Sequence, residues 1–302
     1  EYVTTLILAD GVTSVGDYAM YYCDDLSVVA FPQSLTRIGE RAFAQLENLT
    51  SLSLPDGLES IGASAFQGCT GLTSLAIPDS VTEVEDSAFD ECYNIVSLDL
   101  GNSITAIGDH AFSSWGKLEQ VTIPESVTAI GEYAFYACDS LKEIVIPDSV
   151  TSLGKNAFGL CDALESVVVG AGVPNIPMQT FNRCYSLKNV TIRGPISGVF
   201  GEAFADCTSL TSIDLPATVE RFESPFPGCT SLESINIDPE NPWLCSVDGV
   251  VYTRDMLELL CCPAGKSGFF TVPFPVNTIA QSAFEGCEKI TGVDLANVSY
   301  IK

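Results

Sequence analysis

Apolar residues recur along this chain at a fixed interval of 23 residues. Phenylalanine marks eight consecutive intervals, at Phe43, Phe66, Phe89, Phe112, Phe135, Phe158, Phe181 and Phe204. Met20 takes the same place one interval earlier, and Phe226 and Phe284 continue the column beyond a deletion and an insertion. A fixed interval of this length predicts stacked structural repeats, so we expect residues 1–302 to form one elongated domain.

Residues 118–140 show what one repeat contains. A strand with one apolar side is predicted first, because its apolar residues have strand spacing: Leu118, Val121 and Ile123. Pro124 ends this strand since proline has no N–H to donate. A second extended segment at 127–130 and a 3₁₀ or helical corner around Phe135 complete the repeat. About a dozen such turns, at ~4.8 Å each, would give one parallel sheet roughly 55 Å long.

Two further columns describe the corner. Glycine precedes it in most repeats, at Gly16, Gly39, Gly62, Gly108, Gly131 and Gly154. Because Glu85, Pro177 and Phe200 occupy the same slot elsewhere, the slot favours a close approach and does not require a positive φ. Cysteine follows the aromatic residue by three positions, at Cys23, Cys69, Cys92, Cys138, Cys161, Cys184, Cys207, Cys229 and Cys287. Since Leu46 and Trp115 share that slot, we predict a ladder of buried thiols and no disulfide framework.

An insertion at residues 238–266 interrupts the repeat. Asp248-Gly249 lies between two short extended segments, which is a strong signal for a two-residue hairpin. We expect a small antiparallel hairpin or meander that projects from the array and exposes the aromatic residues Trp243 and Tyr252. Whether Cys245 forms a bridge across it to Cys261 or Cys262 is left open.

The repeat resembles that of the BspA-like, or treponemal-type, leucine-rich repeat family. The shared motif is L-x-x-L-x-L-P-x-x-L-x-x-I-G-x-x-A-F-x-x-C, present here as LKEIVIPDSVTSLGKNAFGLC, and it covers residues 1–302 apart from the insertion. Arg193 in the proline slot is a minor departure. The resemblance implies a right-handed, curved leucine-rich repeat solenoid with its parallel sheet on the concave face. It also implies a surface-exposed or secreted protein of host-associated microbes, often linked to adhesion.

Charge and hydropathy exclude some partners. The net charge of −26 argues against binding of nucleic acid or of an anionic membrane surface. No apolar run approaches the ~18 residues of a membrane span, and no secretion signal is visible. We expect a monomer whose array, incomplete at Lys302, is continued or shielded in another way.

Catalytic chemistry is not indicated. His110 is the only histidine, in a slot that varies between repeats, so neither a Ser-His-Asp nor a Cys-His arrangement can form. No cofactor motif or zinc-spaced cysteine pair appears. Carboxylates recur on successive turns, but their spacing gathers too few ligands for calcium, and solvated rows are favoured over a calcium site.

The outward positions of the predicted sheet are the best candidates for recognition. They include Glu119, Gln120, Thr122, Lys142, Glu143, Lys188 and Asn189, with Trp243 and Tyr252 on the insertion. Phe269 and Phe274 are further aromatic residues outside the predicted core. These positions favour a non-enzymatic module that binds proteins or glycans on host or microbial surfaces. The alternative is a structural spacer or targeting arm of a larger surface protein.

Overall fold

The computed structural model describes residues 3–295 and 297–302 as about 13 stacked turns of chain. The described residues form short β-strands and contain no helix. In chain order the strands are β1 (Thr5–Ile7), β2 (Ser14–Val15), β3 (Val28–Ala30), β4 (Arg37–Ile38), β5 (Ser60–Ile61), β6 (Ser74–Ala76), β7 (Glu83–Val84), β8 (Ser97–Asp99), β9 (Ala106–Ile107), β10 (Ala129–Ile130), β11 (Glu143–Ile146), β12 (Ser152–Leu153), β13 (Ser166–Val169), β14 (Asn189–Ile192), β15 (Gly198–Val199), β16 (Ser212–Leu215), β17 (Arg221–Phe222), β18 (Ser234–Ile237), β19 (Leu244–Val247), β20 (Val250–Thr253), β21 (Glu258–Cys261), β22 (Gly268–Thr271), β23 (Thr278–Ile279), β24 (Ile290–Asp294) and β25 (Tyr300–Ile301).

Two parallel ladders run along the stack. The first ladder contains the longer strands that the L-x-x-L-x-L spacing predicts, and it pairs Glu143 with Ser166 and Ser166 with Asn189. It is divided into the groups β1–β3, β6–β8, β11–β13–β14, β16–β18 and β22–β24. The second ladder contains mostly two-residue strands and is continuous from β2 to β12. The expected parallel sheet is therefore present in short pieces.

The corner of each turn has left-handed residues on both sides of the buried aromatic. Around Phe135, both Tyr133 and Ala137 have φ of 56°. The N–H groups of these three residues donate to carbonyls one repeat further on, over 2.8–3.0 Å. Helical N–H groups would instead bond within their own segment. The corner is therefore a stack of turns and not a helix. Its backbone hydrogen bonds join each repeat to the next.

The phenylalanine column is the centre of the core, as predicted. Every ring from Phe43 to Phe204 in this column is 0% exposed. Neighbouring rings are stacked, with centroids 5.3–6.2 Å apart and interplanar angles of 2–30°. This cluster extends as far as Val251, and a smaller cluster around Tyr252 and Leu259 follows it.

The cysteine column is a ladder of free thiols, which confirms the prediction. The sequence did not reveal why cysteine is favoured there. Seven of the nine thiols donate to the carbonyl of a phenylalanine in the preceding turn, for example from Cys92 to Phe66 and from Cys161 to Phe135, both over 3.3 Å. Burial raises the pKa of Cys69 to about 12, so this thiol keeps the proton that it donates. Cys245 is also free: its thiol lies 3.4 Å from the Met256 sulfur, and Cys261 and Cys262 are unpaired.

The glycine column is explained by contact between turns. A Cβ added to Gly131 would lie 2.6 Å from the backbone nitrogen of Asp109, whereas one added to Gly16, in the first of the described turns, has nothing within 4 Å. Neither glycine has a positive φ. This confirms the prediction that glycine is favoured in this slot because neighbouring turns approach closely, and not because the backbone requires a positive φ.

The insertion forms the predicted hairpin but does not project. Strands β19 and β20 pair antiparallel around Asp248 and Gly249, whose φ values are 49° and 73°. The hairpin lies along β18, where Ile235 N donates to Gly249 O over 2.9 Å. It therefore covers a strand edge that would otherwise be open. Tyr252 is only 2% exposed as a result, so the expectation that it lies outside the core is wrong.

Candidate binding site on the strand face

The strand face is the solvent side of the first ladder. Seven residues predicted for recognition are exposed on it: Glu119, Gln120, Thr122, Lys142, Glu143, Lys188 and Asn189. Those from Glu119 to Glu143 lie on adjacent turns, and Lys188 lies two turns beyond Lys142. Trp243 is 45% exposed beyond β18, and the buried Tyr252 is excluded. The structure thus brings five of the nine predicted residues together.

Residues 119–123 form an opening in the first ladder. The preceding and following turns contain the regular strands β8 and β11, yet neither pairs with this segment. Among the backbone hydrogen bonds of the described residues, only that from Lys142 N to Glu119 O, at 3.2 Å, joins the segment to a neighbouring turn. The opening therefore leaves backbone donors and acceptors unpaired, which is uncommon within a sheet.

The opening coincides with a tryptophan in the thiol column. From β3 to β18, every described first-ladder strand follows a cysteine in that column. Where Leu46 or Trp115 replaces cysteine, the strand that should follow is missing, at residues 50–54 and 119–123. Trp115 is 0% exposed, and its indole N–H replaces the thiol by donating to Phe89 O over 2.8 Å. Since the strand is also missing after Leu46, we infer that it needs both the small volume and the hydrogen-bond donor of cysteine, and that the larger ring of Trp115 displaces it here by overpacking.

A cleft lies at this opening. Its volume is about 690 Å³, and it is lined by residues 96–102, 120–122 and 124–126 and by Glu143. A second hollow of about 450 Å³ adjoins it, since Val96, Gln120 and Glu143 line both. Leu98 and Val121 give the cleft a half-buried apolar wall. It therefore offers apolar contact and polar groups side by side, as ligand sites commonly do.

Ser126 shows that the cleft also disturbs the turn after the strand. In comparable positions, the hydroxyls of Ser34 and Ser149 donate to carbonyls of the preceding turn, over 2.8 and 2.7 Å. The Ser126 oxygen is buried without a hydrogen-bond partner among the described residues. An unsatisfied buried hydroxyl is costly, and here it belongs to the lining of the cleft.

Charges around the cleft fall into paired and unpaired groups. The Lys142 ammonium lies 2.8 Å from the Glu119 carboxylate, and this hydrogen bond lowers the pKa of Glu119 and raises that of Lys142. Lys188 makes the same contact with Glu165, over 2.9 Å. Within the described residues, Asp99, Glu125 and Glu143 form no ion pair. The free charge of the cleft is therefore negative and suits a basic group.

Other chemistry has little geometric support. The ring of His110 stacks on Tyr133 with centroids 4.7 Å apart, within the corner ladder. The described residues contain no group of three or more His, Cys, Asp or Glu side chains placed to hold a metal ion. In the same part of the chain, no helix has the length and apolar character needed to cross a membrane.

Sequence reasoning did not single out Asp99, Glu125 and Ser126 as site residues. The signal that could have identified them is Trp115, because a large residue in a column of cysteines predicts a local change of packing. The consequence for the following strand becomes visible only when both turns are placed in contact.

Comparison with known proteins gives one family. The sequence profile for the BspA type leucine rich repeat region matches residues 2–116 and 105–233, in six copies. No curated protein is detectably similar to the chain.

The chain is also similar to several solved structures. A leucine-rich repeat protein from Bacteroides ovatus is 27% identical, with a TM-score of 0.66 over 99% of this chain and 74% of that one. The pneumococcal vaccine antigen PcpA is 22% identical, with a TM-score of 0.51 over 76% of this chain and 65% of that one. A leucine rich repeat protein from T. pallidum is 26% identical, with a TM-score of 0.40 over 70% and 79% of the two chains.

Proposed function

Because the chain belongs to the family of BspA-type leucine-rich repeat proteins, we propose that it is a non-enzymatic module that binds a partner protein through its strand face. Repeat arrays of this kind are general scaffolds for protein binding, since stacked turns present one extended surface. The observation that carries the proposal is the cleft at residues 96–102, 120–122 and 124–126.

The cleft suits an extended peptide segment with a basic side chain. The unpaired backbone groups of residues 119–123 can hydrogen-bond to a peptide, as in recognition by strand addition. The carboxylates of Asp99, Glu125 and Glu143 would attract lysine or arginine and fix the register of the segment. The apolar wall at Leu98 and Val121 adds contact area.

The biological setting that we propose is the cell surface or the extracellular space of a microbe, with adhesion to host or microbial surface proteins. The family and the fold support this setting, and the net charge of −26 suits a soluble exposed module. We further propose that the chain acts as a monomer.

The test is a binding array of matrix proteins and surface glycans against the chain and two variants. Trp115→Cys should close the cleft, whereas Leu46→Cys makes the same kind of change at the other interruption, residues 50–54. We expect a saturable protein ligand that loses about tenfold or more in affinity with Trp115→Cys and less than about twofold with Leu46→Cys. Equal binding by both variants would place recognition elsewhere.

The alternative is a spacer arm with no ligand of its own. One core cluster that runs from Val15 to Val251 favours it, since a continuous core makes a stiff rod. Failure of every protein and glycan in the array to bind saturably would favour the spacer over the binding module.

A further inference from the structure

We propose that the chain has a second binding site, for a neutral oligosaccharide, in a groove along its corner ladder. This corner groove has a volume of about 530 Å³ and runs from Tyr133 to Gly228 and Glu285. It is distinct from the strand-face cleft, because none of its lining residues belongs to that cleft. The proposal goes beyond protein binding and does not depend on it.

The groove exists because side-chain size alternates in one corner slot. The residue directly after the buried phenylalanine is Tyr136, Gly159, Asn182 and Ala205 in four successive turns. The Tyr136 ring lies over Gly159, where an added Cβ would be 3.2 Å from a ring carbon. Gly159 gives the Tyr136 ring its place, and the smaller Asn182 and Ala205 leave room beyond that ring, so Tyr136 lies at one end of the groove.

A chain of hydrogen bonds forms one wall of the groove. The Asn156 amide nitrogen donates to Gln179 Oε1 over 2.8 Å, and the Gln179 amide nitrogen donates to Glu202 Oε2 over 2.6 Å. Asn156 is only 5% exposed, so the wall is anchored in the protein. These three side chains occupy the same slot on successive turns. The two hydrogen bonds between them leave their other polar atoms available to a ligand.

The lining of the groove also carries both signs of charge and a free amide. The Arg183 guanidinium lies 3.6 Å from the Asp206 carboxylate. Among the hydrogen bonds of the described residues, none involves the side-chain amide of Asn182. Amide, carboxylate and guanidinium groups together supply donors and acceptors in the planar pairs that match vicinal hydroxyls.

The aromatic end of the groove completes a saccharide-type site. Tyr133 and Tyr136 meet edge to face with centroids 5.3 Å apart. Because His110 already stacks on Tyr133, the half-buried ring of Tyr136 is the one that can pack against the C–H face of a sugar. Turns recur every ~4.8 Å, which is close to the length of one pyranose unit in an extended chain. Each turn can therefore contact one monosaccharide unit of the chain.

The charge of the groove selects among saccharides. Glu202, Asp206 and Glu285 outnumber Arg183 among the charged residues that line it. Uronic or sialic acid chains would meet a net negative wall, so the predicted ligand is a neutral oligosaccharide.

Calorimetric titration of the full chain with four hexasaccharides tests the proposal. The neutral probes are cellohexaose, mannohexaose and chitohexaose, and the acidic probe is hexagalacturonate. We expect saturable binding of at least one neutral probe, weakened about tenfold or more by Asn182→Ala and by Tyr136→Ala. The matched controls, Gln67→Ala and Tyr21→Ala, change the same slot on turns outside the groove and should weaken it less than about twofold.

Several results would overturn the saccharide site. They are failure of all three neutral probes to bind, equal or tighter binding of hexagalacturonate, or equal weakening by the groove variants and their matched controls. Melting curves of each variant separate loss of binding from loss of fold. Trp115→Cys should leave saccharide binding unchanged, so the outcome here is independent of the strand-face cleft.

Discussion

Replacing Trp115 by cysteine should close the opening in the strand face. Trp115 is fully buried in a column where cysteine otherwise precedes every described first-ladder strand from β3 to β18. A cysteine can make the same hydrogen bond to Phe89 O that the indole makes, with much less volume. We expect residues 119–123 to move into register with β8 and β11 and to pair with both.

The expected change in the free energy of unfolding of Trp115→Cys is the difference between two effects. Truncating a fully buried aromatic residue costs about 3–5 kcal/mol when the cavity stays open. Closure of the opening reduces that cost, because each restored hydrogen bond contributes about 0.5–1.5 kcal/mol and several are regained. The variant should therefore lose only about 1–2 kcal/mol in free energy of unfolding, less than an ordinary core truncation.

Hydrogen exchange followed by mass spectrometry reads out the pairing directly. In the wild type, amides of residues 119–123 should exchange rapidly, while those of β11 (Glu143–Ile146) are protected. In Trp115→Cys the amides of 119–123 should slow by about 100-fold or more, which corresponds to about 2.7 kcal/mol of opening free energy.

The matched variant is Trp115→Leu. Leucine is smaller than tryptophan but cannot donate to the Phe89 carbonyl, and Leu46 already accompanies an unpaired strand. We expect this variant to leave residues 119–123 exchanging rapidly and to lose about 3–5 kcal/mol. Protection of 119–123 in the wild type, or rapid exchange of the segment in Trp115→Cys, would refute the link between Trp115 and the opening.

Three further predictions concern the stack itself. Phe135→Ala should lower the free energy of unfolding by about 3–5 kcal/mol in denaturant titrations, since its ring is fully buried, while Phe274→Ala, at a ring that is 82% exposed, should change it by less than about 0.5 kcal/mol. Gly131→Ala should lower the free energy of unfolding by about 1–3 kcal/mol, because its Cβ would clash with the Asp109 backbone. Gly16→Ala, with nothing within 4 Å of the added Cβ, should be neutral or slightly stabilising. Equal effects of the two substitutions would contradict the argument from close approach. Stability should fall as pH rises from 9.0 towards about 12, because burial raises the pKa of Cys69 and Cys229 from 9.0 to about 12 and raises the pKa of Cys92 and Cys138 well above its usual value. Above pH 9.0 the unfolded chain releases thiol protons that the folded chain keeps, which costs about 1.4 kcal/mol per thiol for each pH unit. Circular dichroism should therefore show cooperative unfolding in this range, and an unchanged spectrum at pH 12 would contradict the buried thiol ladder.

The repeat architecture could be predicted because the same residue types recur at equivalent positions in successive turns. A slot filled by phenylalanine in eight consecutive turns is apolar whatever the detailed geometry, and the packing of Phe135 and Cys138 follows from that. The hairpin was also predictable, since Asp248-Gly249 suits the positive φ values that its turn requires.

Features that depend on contact between particular turns could not be predicted. The opening at 119–123 depends on how Trp115, in place of a cysteine, packs against its neighbours, and the corner groove on the room that Asn182 and Ala205 leave beside Tyr136. The burial of Tyr252 depends on how the hairpin lies against β18, which no local pattern specifies. The predicted face residues Glu119 and Lys142 are exposed, but the structure shows that each already partners the other.

The most direct test of the account is hydrogen exchange of the chain in complex with a ligand obtained from the protein array. Recognition at the opening predicts that amides of residues 119–123 become protected on binding, while those of 50–54, the comparable interruption after Leu46, remain as fast as in the free chain. Protection confined to other surfaces, with 119–123 unchanged in a saturated complex, would contradict the assignment of recognition to the cleft.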